Sequence, residues 1–331
     1  MSDLQLSIAM HPNARSRSVL DGRIKPEGID LRATAMHPSE IFWRQLKFAE
    51  FDVSEMSMSS LLISIANGNR DWVALPVFTT RRFFHTGMWA RNDAGIKSPS
   101  DLRGKRVGVP EYQQTAALWG RGALQHEFGV APTEIDWFME RTEEVSHGGA
   151  TGFRPPPGVK LHRIPASESI GSMLIEGKLD AALHYIVDNN LVDRSKIRLE
   201  DRSEGRYIFP DRAAEGRRYY AETGLFPINH GMVVRRKIAE EHPWVILNIY
   251  NAFLESKNRW LAGVLDAAQT HLQLGLLPPE SETALRQDPF PYGVVANKRV
   301  LETIAQYSQE QGLTPRVLSL EEIFPRNALG L

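Results

Sequence analysis

Apolar residues along the chain follow two alternating patterns, short strand-like runs and longer segments with helical spacing. Strand-like runs occupy residues 4–10, 28–35, 51–58, 73–78, 86–91 and 106–110. Helical spacing occurs at 38–49, where Ile41, Phe42 and Leu46 share one face, and again at 111–129. Strands that alternate with helices predict an α/β fold with mainly parallel sheets, in which ligands bind at the carboxyl ends of the strands.

The second half of the chain continues the alternation. Its pattern predicts a helix at 167–178, strands at 179–186 and 231–236, and a long amphipathic helix at 243–261. Residues 147–158, HGGATGFRPPPG, are instead expected to form a loop rich in Gly and Pro. A loop of this length within a folded domain predicts a lid or a functional insertion.

Length and composition limit the classes of function. A chain of 331 residues with 42% hydrophobic and 24% charged residues suits two folded lobes. The 39 basic residues balance the 40 acidic ones, so no bulk charge attracts nucleic acid or an anionic membrane. The chain has no cysteine, which excludes disulfides and thiolate metal ligands. The start MSDLQLSIAM has no signal-peptide pattern, so we expect a cytoplasmic protein with a small-molecule ligand.

Several stretches of the chain carry a resemblance to known proteins. SPSDLRGKRVGV at 98–109 resembles a phrase of the type II periplasmic-binding-protein-like superfamily. Residues 51–62 and 67–130, and the terminal LEEIFP, resemble the 4,5-dihydroxyphthalate decarboxylase family within it. The resemblance implies two α/β lobes with mainly parallel sheets and a ligand cleft between them. It places lobe 1 at residues 1–105 plus 232–331 and lobe 2 at 106–231.

The same resemblance implies a carboxy-lyase that converts 4,5-dihydroxyphthalate to protocatechuate and CO₂. When an aromatic ring loses CO₂, a proton must replace the carboxyl group at the same carbon. A general acid and groups that hold anions are sufficient for this step, so no cofactor is predicted. The sequence has no HExxH motif, but its dispersed His and Glu residues leave a divalent metal open. The oligomeric state does not follow from the sequence, so a homo-oligomer is also open.

The stretch PVFTTRRFFHTG at 76–87 contains the first candidate for holding a carboxylate. We expect Arg81 to bind it, because a guanidinium matches a carboxylate bidentately. Arg82 is expected to point the other way, since neighbours on an extended segment alternate between faces. Alternatively, both arginines are solvated turn residues. Arg15 or Arg17, in the first loop, is a second candidate.

Histidines at predicted strand ends are candidates for proton transfer. We expect His85 and His184 to be catalytic, and His11, His147 and His230 to bind substrate at the cleft. Each of these histidines is equally explained as a buried hydrogen-bonding group, or as a metal ligand.

Two predicted helix starts complete the expected site. Free amide groups at a helix N-terminus favour an anion, so two such starts across the cleft would clamp a doubly charged acid. Ordinary helix capping explains the same residues. The first start contains Ser59 and Ser60, and the second contains Glu111, Tyr112, Gln114 and Thr115.

Two other functions compete with decarboxylation. A solute-binding protein of the transporter type would use the same clamp without catalysis. A biosynthetic enzyme of the thiamin-pyrimidine type would share the fold but would need its own histidine as a reactant. The N-terminus lacks the export signal that a transport receptor needs, and no motif matches the thiamin-pyrimidine enzyme. Decarboxylation of a hydroxylated aromatic carboxylate is therefore the leading hypothesis.

Overall fold

The computed structural model describes residues 3–331, which fold into two α/β lobes with one sheet each. The strands are β1 (Leu4–Met10), β2 (Ile29–Ala35), β3 (Val53–Ser57), β4 (Trp72–Arg81), β5 (Trp89–Arg91), β6 (Arg106–Val109), β7 (Asp136–Met139), β8 (Lys160–Arg163), β9 (Ala181–Ala182), β10 (Gly205–Tyr207) and β11 (Ile228–Arg235).

Helices surround both sheets and form most of the C-terminal part. They are α1 (Arg17–Leu20), α2 (Pro38–Phe48), α3 (Met58–Ala66), α4 (Thr115–Phe128), α5 (His147–Thr151), α6 (Ile170–Ile175), α7 (Arg212–Thr223), α8 (Arg236–Glu241), α9 (Trp244–Gln273), α10 (Glu280–Arg286), α11 (Lys298–Glu310) and α12 (Leu320–Ile323). The short helix α5 occupies the start of the segment that was expected to be a loop throughout. None of the helices in residues 3–331 combines the length and the apolar character needed to cross a membrane.

The two sheets confirm the predicted α/β class. The first has the order β2-β1-β3-β11-β4, with β1 parallel to β2 and β3, and β11 antiparallel to β3 and β4. The second has the order β10-β5-β9-β6-β7-β8, in which β6 to β9 pair in parallel. Strands β5 and β10 are antiparallel additions at its edge.

The sheets change over at positions that differ from the predicted lobe boundaries. Strand β5 pairs with β9 and β10, so the chain enters the second sheet after Arg81 and not at residue 106. Strand β11 begins at Ile228, so the chain returns to the first sheet before residue 232. A short strand such as β5 is assigned to a sheet by its backbone partners, which the sequence does not reveal.

Strand ends and helix starts converge between the lobes. Strand β1 ends at Met10, β3 ends at Ser57 where α3 begins, and β4 ends at Arg81. In the second lobe, the segment after β6 leads into α4 at Thr115. Because the carboxyl ends of parallel strands meet at one edge of a sheet, the loops after them line a common cleft.

Candidate active site

A cavity of about 670 Å³ lies between the lobes, and we call it the cleft. This volume is in the range of small-molecule sites. Residues of both lobes line it. The lining residues that precede β5 or lie in β11 are His11, His37, Pro38, Ser39, Phe42, Ser57, Thr80, Arg82, Phe84, Asn229 and His230. Those between β5 and β11 are Gln114, Thr115, Ala116, Arg141, His147, His184, Tyr185, Ile186, Val187 and Asp188.

Five histidines line the cleft. The structure brings together the predicted His11, His147, His184 and His230. The fifth, His37, was not predicted. It stands just before α2, where its ring accepts a hydrogen bond from the amide of Ser39 at 3.2 Å. The dipeptide His-Pro at the start of a helical pattern is the sequence signal that would have placed it at a helix start.

His230 is held by a buried carboxylate, Glu55, at the centre of β3. The Nδ1 atom of His230 lies 2.8 Å from Oε1 of Glu55, which also accepts a hydrogen bond from Thr79 at 2.6 Å. The other oxygen of Glu55 accepts from the amide of His11 at 2.8 Å. Burial by itself raises the pKa of Glu55, but the hydrogen bonds from His230, Thr79 and the His11 amide outweigh burial and lower the pKa. Glu55 is therefore ionised.

The second nitrogen of His230 is the one directed away from Glu55. Nε2 lies 2.8 Å from Nδ2 of Asn229, and the ring of Phe42 packs edge-on against the imidazole at 4.7 Å. With Nδ1–H donating to Glu55, the lone pair of Nε2 accepts from Asn229. If the Asn229 amide turns so that its oxygen faces the ring, Nε2 can carry a proton for transfer. Sequence reasoning missed Glu55, although an acidic residue in the otherwise uncharged strand VSEMS was a usable signal.

Arg141 joins the two lobes under the cleft. Its guanidinium donates to Asp193 Oδ1 at 2.7 Å, to Glu111 Oε2 at 2.9 Å and to the hydroxyl of Ser39 at 2.7 Å. Burial favours the neutral form, but Asp193 and Glu111 outweigh burial and raise the pKa of Arg141. With both carboxylates engaged, Arg141 braces the site and has little charge left for a ligand.

Glu111 was predicted to present a helix start to the substrate, but it is fully buried. It accepts hydrogen bonds from Arg141, from the hydroxyl of Ser146 and from Gln113 Nε2, the last at 2.5 Å. Nδ1 of His147 lies 3.2 Å from Glu111 Oε2 without the alignment of a hydrogen bond. Burial lowers the pKa of His147 and Arg141 adds to the effect, so this histidine is neutral near pH 7.

The adjacent arginines occupy opposite faces, as predicted, but Arg82 and not Arg81 faces the cleft. Arg82 lines the cleft, and within residues 3–331 its guanidinium has no hydrogen-bond or ion-pair partner. Arg81 does not line the cleft: it donates to the carbonyls of Phe226 and Pro291 and to Asn297. Alternation along a strand directs the side chains of two neighbouring residues to opposite faces, but packing decides which of the two faces the cleft.

Three other predicted residues lie away from the cleft. His85 is buried, with Nε2 3.1 Å from Glu215 Oε1 and its ring 4.6 Å from that of Tyr219, so it is not placed to meet a ligand there. Arg15 donates to the carbonyl of Thr79 at 2.6 Å and stacks over Phe290. Arg17 is exposed on α1.

The start of α3 is closed by the second lobe. Ser57, and not Ser59 or Ser60, caps α3, and its hydroxyl lies 2.8 Å from that of Thr115. The amide of Ser59 also donates to Thr115 Oγ1, at 2.9 Å, while the hydroxyl of Ser59 donates to the carbonyl of Gln113 at 2.7 Å. The start of α3, predicted to be open to the substrate, is thus closed by these hydrogen bonds. The hydroxyl of Ser60 contacts Ser57.

The start of α4, by contrast, faces the cleft through Gln114, Thr115 and Ala116. Within the described residues, the side chain of the N-cap residue Gln114 makes no capping hydrogen bond, and its Nε2 is buried without a partner. The first amides of a helix have no acceptor within the helix, so this end favours an anion. Tyr112 is buried instead, under the guanidinium of Arg121 at 3.7 Å.

His184 contacts Phe84, with ring centres 5.9 Å apart, at the wall of the cleft that carries Arg82. Burial, with a further contribution from the positive charge of Arg82, lowers the pKa of His184 to about 4. The ring is neutral near pH 7, so it can accept a hydrogen bond from one nitrogen and donate from the other. Within residues 3–331, no group of three or more His, Asp or Glu side chains is arranged to hold a metal ion.

Comparisons with known proteins give the family. No family model matches the chain. The chain is 34% identical over 327 residues to a 4,5-dihydroxyphthalate decarboxylase of Comamonas testosteroni, covering 98% of this chain and 97% of that protein. It is 38% identical over 183 residues to a 4,5-dihydroxyphthalate decarboxylase of Pseudomonas putida, covering 55% of this chain and 71% of that protein.

A solved structure confirms the predicted fold. The alkanesulfonate-binding protein SsuA from Xanthomonas axonopodis pv. citri, bound to MOPS, superposes with a TM-score of 0.57 at 13% identity, over 98% of this chain and 99% of SsuA. At this identity the likeness shows the fold alone, which is that of periplasmic binding proteins. The extent of the sequence match is what shows the narrower group, and the chain belongs to the 4,5-dihydroxyphthalate decarboxylase family.

Proposed function

We propose that the chain removes one carboxyl group from a hydroxylated aromatic dicarboxylate in the cleft, with 4,5-dihydroxyphthalate as substrate and protocatechuate and CO₂ as products. The family supports this reaction. The structural observation that carries it is the pair of Glu55 and His230, in which a buried carboxylate fixes an imidazole at the cleft. A histidine oriented in this way is a suitable proton donor and acceptor.

The chemistry requires a proton at the carbon that loses the carboxylate. In 4,5-dihydroxyphthalate, one hydroxyl is para to each carboxylate, so its oxygen can push electron density to that carbon. Protonation there breaks the aromaticity, and departure of CO₂ restores it as the electrons of the C–C bond return to the ring. The dianion takes up one proton and yields CO₂ and the protocatechuate monoanion, so one proton is consumed in each turnover.

The retained carboxylate is assigned to Arg82. This guanidinium lines the cleft and is not engaged by another side chain in the described part of the protein, so it is free to bind an anion bidentately. The start of α4 and the unpaired Nε2 of Gln114 provide further donors. Arg141 is less suitable, because Glu111 and Asp193 already neutralise it.

His230 is assigned to proton transfer at the ring carbon. A proton taken up at Nε2 gives an imidazolium whose Nδ1–H remains bonded to Glu55, so the positive charge is balanced at 2.8 Å. His230 then gives the Nε2 proton to the ring carbon and takes another from solvent or from the para hydroxyl. Neutral His184, beside Arg82, is suited to hydrogen-bond a ring hydroxyl.

The decisive experiment is turnover in D₂O. Purified protein is incubated with 4,5-dihydroxyphthalate, CO₂ release is followed, and the product is analysed by NMR. The expected result is protocatechuate with one deuterium at the carbon that lost its carboxylate, ortho to the one retained. Stoichiometric binding without CO₂ release would instead identify a solute-binding protein. If the protein neither bound nor converted 4,5-dihydroxyphthalate, this compound would be excluded as the substrate.

Two variants separate the candidate histidines. His230→Gln is expected to lower kcat by roughly 10²- to 10⁴-fold, the usual contribution of general acid–base catalysis. His85→Gln is the matched control, because it makes the same change at a buried histidine outside the cleft. If kcat fell equally in both variants, the assignment of proton transfer to His230 would be wrong. The cytoplasmic location expected from the sequence stays a prediction, which cell fractionation tests.

A further inference from the structure

A second cavity of about 660 Å³ lies beside Arg81, and we call it the Arg81 cavity. It is lined by the end of β4, by α7, and by residues 284–300, and it shares no lining residue with the cleft. None of its residues has a part in the proposed reaction. Its size is similar to that of the cleft, so it is large enough for a small organic ligand.

The Arg81 cavity contains a buried cation that no carboxylate pairs with among residues 3–331. Arg81 is 9% exposed, and within these residues its guanidinium donates only to neutral oxygens, those of Phe226, Pro291 and Asn297. Its Nε is buried and has no partner in the same range. A buried charge normally has a counter-ion, because removing it from water is costly. The missing counter-charge indicates that this cavity takes an anion.

The other charged groups reinforce this preference. Arg217, on α7, also lines the cavity, and in the described part of the chain it has no ion-pair partner. The one carboxylate in the lining, that of Asp288, is paired with Lys257. Two cations thus remain available to a ligand, and they would attract a carboxylate and repel a metal ion.

The remaining walls are aromatic and apolar. Phe83 and Phe226 lie with ring centres 4.9 Å apart, Tyr220 is 54% exposed at the same lining, and Pro289 and Pro291 cover another side. Exposed aromatic faces next to a guanidinium suit a flat ring that carries a negative charge. A fully hydrated inorganic anion would leave these faces without a partner.

We propose that the Arg81 cavity is a second binding site, separate from the cleft, for an aromatic monocarboxylate. The carboxylate pairs with Arg81 and Arg217, and the ring packs on Phe83, Phe226 and Tyr220. This site does not depend on the proposed decarboxylation, since it would bind its ligand whatever reaction occurs in the cleft.

The test is binding of 4-fluorobenzoate to the full chain, followed by ¹⁹F NMR. The expected result is two sites. Arg217→Glu and Ala213→Trp should each weaken binding in the Arg81 cavity by about tenfold or more, the first through lost charge and the second through lost space. Arg82→Gln should weaken only binding in the cleft. Both Arg217 and Ala213 are exposed, so these changes spare the core. Arg81→Gln is less useful, because Arg81 also bonds three oxygens of the fold.

The control for charge reversal is Arg32→Glu. Arg32 is 68% exposed on β2, at the opposite edge of the first sheet from β4, so its reversal should leave both sites unchanged. The proposal is overturned if no bound 4-fluorobenzoate is weakened by Arg217→Glu and Ala213→Trp, that is, if both variants bind it as the unchanged protein does. Loss of CO₂ release with an intact second site would count against the proposed reaction alone.

Discussion

The strongest test of the proposed proton transfer is Glu55→Gln, which preserves shape and removes one charge. Glu55 is fully buried and accepts three hydrogen bonds, from the amide of His11, the hydroxyl of Thr79 and Nδ1 of His230. A glutamine side chain has only one oxygen. Because the His11 amide cannot become an acceptor, the oxygen of the substituted side chain must stay there, and its NH₂ group then faces Nδ1 of His230.

This arrangement forces the opposite tautomer on His230. To accept from the NH₂ group, Nδ1 must lose its proton, so Nε2 carries it and Asn229 must turn its amide to accept. The imidazolium also loses its counter-charge. A hydrogen bond to a charged group contributes about 1.5–3 kcal/mol, which corresponds to a loss of roughly 10- to 100-fold in kcat. Both effects together bring the loss towards ~10⁴-fold.

The assay is steady-state CO₂ release as a function of substrate concentration and pH, with circular dichroism to verify folding. The matched control is Thr79→Val, which removes one hydrogen bond to Glu55 but leaves its charge and the His230 contact. We expect Thr79→Val to retain most of its kcat. The reasoning is refuted if Glu55→Gln folds and its kcat stays within about threefold of the unchanged protein, since an effect on substrate binding alone would appear in KM instead.

Three further results are expected. Arg82→Gln should raise KM by at least about tenfold with a smaller change in kcat, and Arg82→Lys should restore part of the affinity; unchanged KM would place the carboxylate elsewhere. Arg141→Met should cost about 3–5 kcal/mol in urea unfolding, because it leaves Glu111 and Asp193 buried without their partner; a loss below about 1 kcal/mol would contradict the bracing role. The folded pKa of His184 is about 4, below its unfolded value of about 6.5, so the free energy of unfolding decreases as pH falls between these values. His184→Asn should flatten this dependence of the unfolding free energy on pH by up to ~1.4 kcal/mol per pH unit. An unchanged dependence would refute the lowered pKa.

The elements were largely readable from the sequence because their patterns are local. The apolar run at 4–10 is β1, and the spacing of Ile41 and Phe42 gives the buried face of α2. Other patterns predicted the element but not its length. The predicted strand 179–186 has ladder pairing only at Ala181–Ala182, and the helix predicted at 243–261 extends to Gln273. Element ends depend on partners and caps, which local periodicity does not contain.

The site was predicted in part, and the errors have a common cause. The position of His11, His184 and His230 at predicted strand ends indicated that they share one cleft, and all three line it. His85 was wrongly placed there, because the chain turns after β4 and buries that ring against Tyr219 and Glu215. The residue classes were informative, whereas their directions were set by packing between segments far apart in sequence.

The sequence by itself determined the fold class and the presence of neighbouring cations after a strand, because these follow from periodicity and from residues adjacent in the chain. It also determined the family, through its similarity to known decarboxylases. Only the tertiary structure decided that Arg82 faces the cleft while Arg81 faces a second cavity, and that Glu55 holds His230 across 175 positions of sequence. The physical reason is that hydrogen bonds and burial act over a few ångströms in space, and distances of that kind are fixed only when the strands pack together.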